Sequence, residues 1–230
     1  MNLLAQLAQL ARSPRIGAAA ILVSGRLRSA AILVALATAI ATVNTLRVAA
    51  DAPLAPILYG DRRSPAVTML LDALGRDRTA VVLYLVERSW DAALTLTAVA
   101  PAFYWLLGST AIHAAARLRG RRRPYRPMLV VLGYAVGLTA LPAAAAALTL
   151  GSRPGPGLQI AELIGIASLI FLGVIAWRAI QAHYGLSRGP ALAVLATAAL
   201  LFYAVPLLVI VLVVIALVIA AVALGYIPAP

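Results

Sequence analysis

Residues Arg117–Tyr134 read RLRGRRRPYRPMLVVLGY: six arginines within ten residues, running straight into an uncharged apolar stretch. Long apolar segments lie on both sides of it in the chain. Basic residues collect in the short cytoplasmic loops of membrane proteins. The stretch therefore reads as a loop between two membrane-spanning helices, and its arginines set which way the chain crosses.

Composition agrees with that reading. The 230 residues are 63% hydrophobic and 11% charged, with a mean hydropathy of +0.99. A soluble domain of this length does not need so much apolar surface, so the class is integral membrane protein. A spanning helix takes about 20 apolar residues. That leaves room for one helical membrane domain and little else. All 19 basic residues are arginine, against 7 acids, for a net charge of +12. In a soluble chain this surplus would point to nucleic acid. Here it falls in short blocks between apolar runs, which leaves no folded basic face for nucleic acid and points to anionic lipid headgroups as partners. The chain contains no cysteine, which excludes disulfides, thiol catalysis, thiolate metal sites and S-acylation.

The expected architecture is all-α, with five transmembrane helices. Residues 1–28 form a cytoplasmic arm. In it Leu3, Leu4, Leu7 and Leu10 recur at helical spacing with Asn2, Gln6 and Gln9 between them, an amphipathic pattern suited to the membrane surface rather than a cleavable signal. Ser13-Pro14 breaks that helix, and a second apolar piece precedes Gly25. Residues 29–230 form the membrane domain. Its spans are expected at about 29–49, 91–118, 127–150, 158–183 and 189–227. Between the first two, Ser64-Pro65 should start an interfacial helix that ends at Gly75, with Val67, Leu70, Leu71 and Leu74 on one face. The eight apolar residues from Thr79 are too few to span. Strand and helix are hard to separate at that length, and a helical lead into the second span is preferred. Prolines at 101, 142 and 206 interrupt three spans. Gly189–Ile227 contains no charge, and a straight helix at about 1.5 Å per residue would far exceed the ~30 Å hydrocarbon core. Either one helix bends at Pro206 or two short helices form a hairpin there. The single bent helix is preferred, because no Gly, Asn or Asp assists a turn.

Arginine counting orients this layout. With the N-terminus inside, twelve arginines face the cytoplasm: Arg12, Arg15, Arg26 and Arg28, the six from Arg117 to Arg126, then Arg178 and Arg188. Seven lie outside: Arg47, which can snorkel from the far end of the first span, and Arg62, Arg63, Arg76, Arg78, Arg88 and Arg153; six of the seven are close in sequence to acids. The C-terminus is then outside.

Few residues suggest chemistry. Glu162 is the only acid inside an expected span, and an intramembrane carboxylate is a functional candidate. At helical spacing it shares a face with Gly165, Leu169, Gly173 and Ala176, a small-residue stripe where another helix would pack. Glu162 is accordingly expected to point into protein. The plainer alternative places it one turn from the outer surface, hydrated or protonated. His113 and His183 stand near inner span ends, where a headgroup position accounts for them better than a metal. Ser109, Thr110 and Ser168 are lone hydroxyls expected to bond backbone carbonyls one turn back. Trp90, Trp105, Trp177, Tyr125, Tyr184 and Tyr226 fall mostly at span ends, as in an aromatic belt. No catalytic, cofactor or metal motif is present, so catalysis is not expected and no cofactor is assigned.

Three motifs carry a family likeness: HAAARLRG at 113–120, RPMLVVLGYAVGLTALP at 126–142, and AIQAHYGLSRGPALAVLATAALL at 179–201. With SPR at 13–15, they resemble the Yip family (Ypt/Rab-interacting-protein-like membrane proteins), in particular its prokaryotic branch. The resemblance implies five spans, a cytoplasmic N-terminus and no catalytic residues. The Asp-Leu-Tyr-Gly-Pro signature of eukaryotic members is absent. The nearest string, ILYGD at 57–61, falls in the outer loop, so Rab binding does not carry over. The expected function is a non-catalytic scaffold or accessory subunit. It would act through helix packing with other membrane subunits and through headgroup contacts at Arg117, Arg119, Arg121, Arg122, Arg123 and Arg126. The alternative is a small transporter or channel using Glu162.

Overall fold

Seven helices make up the described part of a computed structural model, which covers residues 2–51, 58–59, 65–151 and 155–223. They are α1 Leu3–Arg12, α2 Pro14–Ser24, α3 Leu27–Asp51, α4 Pro65–Leu118, α5 Tyr125–Leu150, α6 Pro156–Tyr184 and α7 Arg188–Ala223. No strand occurs among these residues. Five segments are long and apolar enough to cross a membrane: Leu27–Asp51, Leu71–Leu118, Tyr125–Leu150, Pro156–Tyr184 and Arg188–Leu208. Each overlaps an expected span, although the second begins at Leu71 rather than near residue 91. The expectations for Arg62, Arg63, Ser64, Arg153, Tyr226 and the end of the last span fall outside the described residues.

Local chemistry explains the boundaries. Asn2 Oδ1 accepts from the Ala5 amide at 2.9 Å and caps α1. Pro14 occupies the first turn of α2, where its missing N–H costs nothing. Gly75 breaks α4 with φ 75° and ψ 173°, at the position expected from sequence. Beyond it the helix runs through Thr79–Val86, which settles that short run as helix. Pro206 lies inside α7, which is a single helix across it rather than a hairpin.

The arm differs from a lone surface helix. α1 folds back on α2 so closely that a Cβ on Gly17 would sit 2.4 Å from the Leu10 Cα. Leu10, Ala18 and Ile21 are fully buried at this contact. Gln6, expected on the polar face, is buried as well. Its Nε2 donates to Ser24 Oγ at 3.1 Å, which satisfies the amide away from water.

Cα packing divides the chain into two units. The first comprises Met1–Leu27, Trp105–Leu132 and Val174–Pro230; the second comprises Arg28–Tyr104 and Gly133–Gly173. Helix α5 is the most enclosed element. In its most apolar window 56% of residues are buried, against at most 28% in any other span. Every residue from Val130 to Gly137 is buried, Tyr134 included. Pro142, within the same helix, is exposed.

In the second unit a Cβ on Gly137 would sit 2.6 Å from the Leu33 Cβ, so α3 and α5 meet at a glycine. Arg47, expected to snorkel outward, turns inward instead. Its guanidinium donates to the Leu148 carbonyl, to the Ala147 carbonyl at 3.0 Å and to Asn44 Oδ1 at 2.8 Å. A cation thus caps the negative end of α5. The first turns of α4 behave as the expected apolar face: Val67 packs with Leu58 and Leu83, and Leu71 lies against them. Leu74, expected on the same face, is exposed.

Gly17→Val forces a side chain into the Leu10 backbone and is expected to destabilise the arm by about 1–3 kcal/mol. Gly165→Val, at a position with nothing within 4 Å, is expected to leave stability unchanged. Thermal unfolding of the purified variants in mild detergent checks both.

Candidate functional site

The arginines of the opening stretch sit on a turn built by hydrogen bonding. At the end of α4 the Arg121 amide donates to the Ala116 carbonyl at 3.0 Å and the Gly120 amide to the Arg117 carbonyl at 2.9 Å. Gly120 has φ +74°. This is a Schellman cap, which needs a residue in the left-handed region, and glycine takes it without strain. Helix α6 ends the same way: Gly185 has φ +63° and the Leu186 amide donates to the Gln181 carbonyl at 3.2 Å.

The far side of the loop is held by aromatic side chains. His183 Nε2 donates to the Pro124 carbonyl at 3.0 Å, which requires the proton on that nitrogen. Tyr125 Oη and Thr110 Oγ1 are 3.1 Å apart. His113 Nδ1 lies 3.1 Å from Tyr184 Oη, and its ring meets the Tyr125 ring edge-on at 5.3 Å. The Tyr184 ring packs edge-on against His183 at 4.6 Å. Thus the ends of α4, α5 and α6 in the first unit converge on one polar cluster beneath the arginine loop. Sequence reading named both histidines and both tyrosines separately but did not join them, because the pairs lie up to 71 residues apart.

Arg117, Arg119, Arg121, Arg122, Arg123 and Arg126 are all exposed. None forms an ion pair among the described residues, where the ion pairs are Arg47–Asp51 and Arg88–Asp91. The charge partition explains why. The first unit contains eleven of the nineteen arginines and none of the seven acids. Its tethers are neutral donors instead: Trp105 Nε1 donates to the Leu129 carbonyl at 2.8 Å, and Trp177 Nε1 to the Arg188 carbonyl at 3.1 Å. Ser109 and Thr110 bond the Trp105 and Leu106 carbonyls, as expected of helix hydroxyls.

Glu162 is exposed, so the expectation that it points into protein is not met within the chain. Its stripe is only partly covered: Ala176 is buried, while Gly165 and Gly173 have no neighbouring atom within 4 Å of an added Cβ. The second unit also holds an open cleft of about 250 Å³ lined by residues of α3, α4, α5 and α6, among them Asn44, Pro101, Tyr104, Gly165 and Ser168. Glu162 does not line it. No group of three or more His, Asp or Glu that could hold a metal occurs among the described residues.

These features define a helical protein with five segments able to cross a membrane and an acid-free, arginine-rich unit. No family model, curated protein or solved structure matches the chain. The likeness to the Yip family therefore rests on the motifs quoted above alone.

His183→Ala removes the bond that holds Pro124 and is expected to loosen the loop. A neutral hydrogen bond worth about 1 kcal/mol corresponds to a roughly fivefold rise in the open population. Tryptic cleavage after Arg119–Arg122, followed at low enzyme, should quicken by about that factor.

Proposed function

We propose that the chain is a multi-pass, non-catalytic membrane protein with its N-terminus in the cytoplasm and its C-terminus outside. It acts as a scaffold or accessory subunit. It packs against other membrane subunits and holds anionic headgroups at Arg117, Arg119, Arg121, Arg122, Arg123 and Arg126. The observation that carries this reading is the charge partition: eleven arginines share a unit with no acidic side chain, and those of the loop form no ion pair among the described residues, which favours counter-charge from outside the chain. The basic loop would lie on the cytoplasmic side by the positive-inside rule. The open stripe at Gly165 and Gly173 supports the subunit role, because small residues let a second helix approach closely. The Yip-like motifs point the same way. A transport reading through Glu162 draws less support, since that carboxylate does not line the cleft.

The absence of cysteine makes topology simple to test. Arg121→Cys in oriented vesicles should react with a membrane-impermeant maleimide only from the cytoplasmic side; labelling from the outside alone would overturn the orientation. The double variant Gly165→Leu/Gly173→Leu should melt like the parent yet lose crosslinked membrane partners. A parent that yields no crosslinked partner in native membranes would count against the subunit role.

A further inference from the structure

A second group of arginines, none of them from the loop, lines a pocket of about 260 Å³ formed by α2, the end of α6 and the start of α7. Its polar lining is Arg15, Arg178, Gln181, Ser187 and Arg188. These residues are separated by up to 173 positions, and all belong to the acid-free unit.

The pocket is built rather than incidental. The Arg178 guanidinium lies over the Trp177 ring at 4.4 Å and donates to Gln181 Oε1 at 3.1 Å. The same indole donates to the Arg188 carbonyl, so the starts and ends of two helices are tied at this point. Arg178 is half-buried and held on two sides, which removes much of the entropy that an arginine ordinarily loses on binding. Because Gln181 Oε1 is taken by Arg178, its Nε2 is left as the donor, and that atom is buried without a partner. A buried donor left unsatisfied is costly and asks for an acceptor. Ser187 stands just ahead of α7 and its carbonyl accepts from the Ala191 amide at 3.1 Å, which places the positive end of a 36-residue helix beside the pocket. Three arginines, Gln181 and the first residues of a helix line one pocket, and no acidic side chain belongs to the unit.

We propose that this pocket binds a phosphate group, carried either by a phospholipid headgroup or by a free phosphate ion. Guanidinium groups suit it because their planar donor forks match phosphate oxygens. No residue of the Arg117–Arg126 loop lines the pocket.

Full-length protein in a neutral sugar detergent is titrated with inorganic phosphate and, separately, with dihexanoyl phosphatidic acid, binding being read by calorimetry. Saturable binding of at least one probe is expected. Gln181→Glu keeps the side chain's shape and its contact with Arg178 but brings a negative charge into the pocket, and should weaken that binding roughly tenfold or more. Arg15→Gln, on an exposed side chain, should weaken it several-fold and serves if the first variant does not fold. Arg121→Gln/Arg122→Gln, in the loop, should change it by less than about twofold. Phosphatidic acid binding about tenfold or more above phosphate assigns the site to a headgroup; comparable binding assigns it to the free ion. Absence of saturable binding of both probes, wild-type binding by the folded pocket variants, or an equal loss in the loop variant overturns the proposal.

Discussion

Eleven guanidinium groups in a unit without an acidic side chain form the constraint to which the rest of that unit answers. Like charges repel, and at low ionic strength the repulsion reaches about 10 Å or more. A soluble protein would intersperse acids. Here the acids all lie in the other unit, where eight arginines face seven acids and nearly cancel. The first unit keeps its arginines exposed or at a pocket wall, where water and external anions can reach them. Ion pairing therefore contributes nothing to holding it together.

Its joints are made from neutral donors and close backbone contact. Two indole N–H groups and one imidazole N–H each reach a main-chain carbonyl of another segment: Trp105 to Leu129, Trp177 to Arg188 and His183 to Pro124. Such bonds do not weaken with salt as ion pairs do. They also explain why aromatic residues cluster near helix ends without invoking a membrane interface, although the two roles are compatible. In the second unit an arginine does the equivalent work. Arg47 binds the last carbonyls of α5, where the helix dipole is negative and the charge is welcome.

Much of the fold was legible in the sequence because its markers are local. Five apolar stretches of spanning length, Gly75 and the Ser13-Pro14 break each act through a few neighbouring residues; the two breaks fall where expected, and five segments of spanning length overlap the expected ones. Even the choice at Pro206 followed from a local fact, the lack of turn-forming residues around it. What was not legible depends on contacts between helices distant in sequence. Gln6 reads as polar surface until Ser24 is brought against it. Arg47 reads as an outward cation until the end of α5 comes within reach, about 100 residues later. The pocket of Arg15, Arg178 and Arg188 has no periodicity at all, since it joins three helices. Helical spacing reports which residues share a face, and it says nothing about what covers that face.

The glycines make the same point in energetic terms. Gly17 and Gly137 look no different in sequence from Gly165 and Gly173, each sitting in an apolar helix with small neighbours. At the first pair a methyl group would lie 2.4 Å from a backbone atom and 2.6 Å from a side-chain atom; at the second pair it would meet nothing. Glycine in a helix interior costs about 1 kcal/mol relative to alanine. At Gly17 and Gly137 that cost is offset by the close approach it permits. At Gly165 and Gly173 the chain bears the cost with no return from its own contacts. Both lie on one face of α6, which is therefore where a second helix could come nearest while displacing nothing, and where packing against another subunit would recover what the two glycines cost.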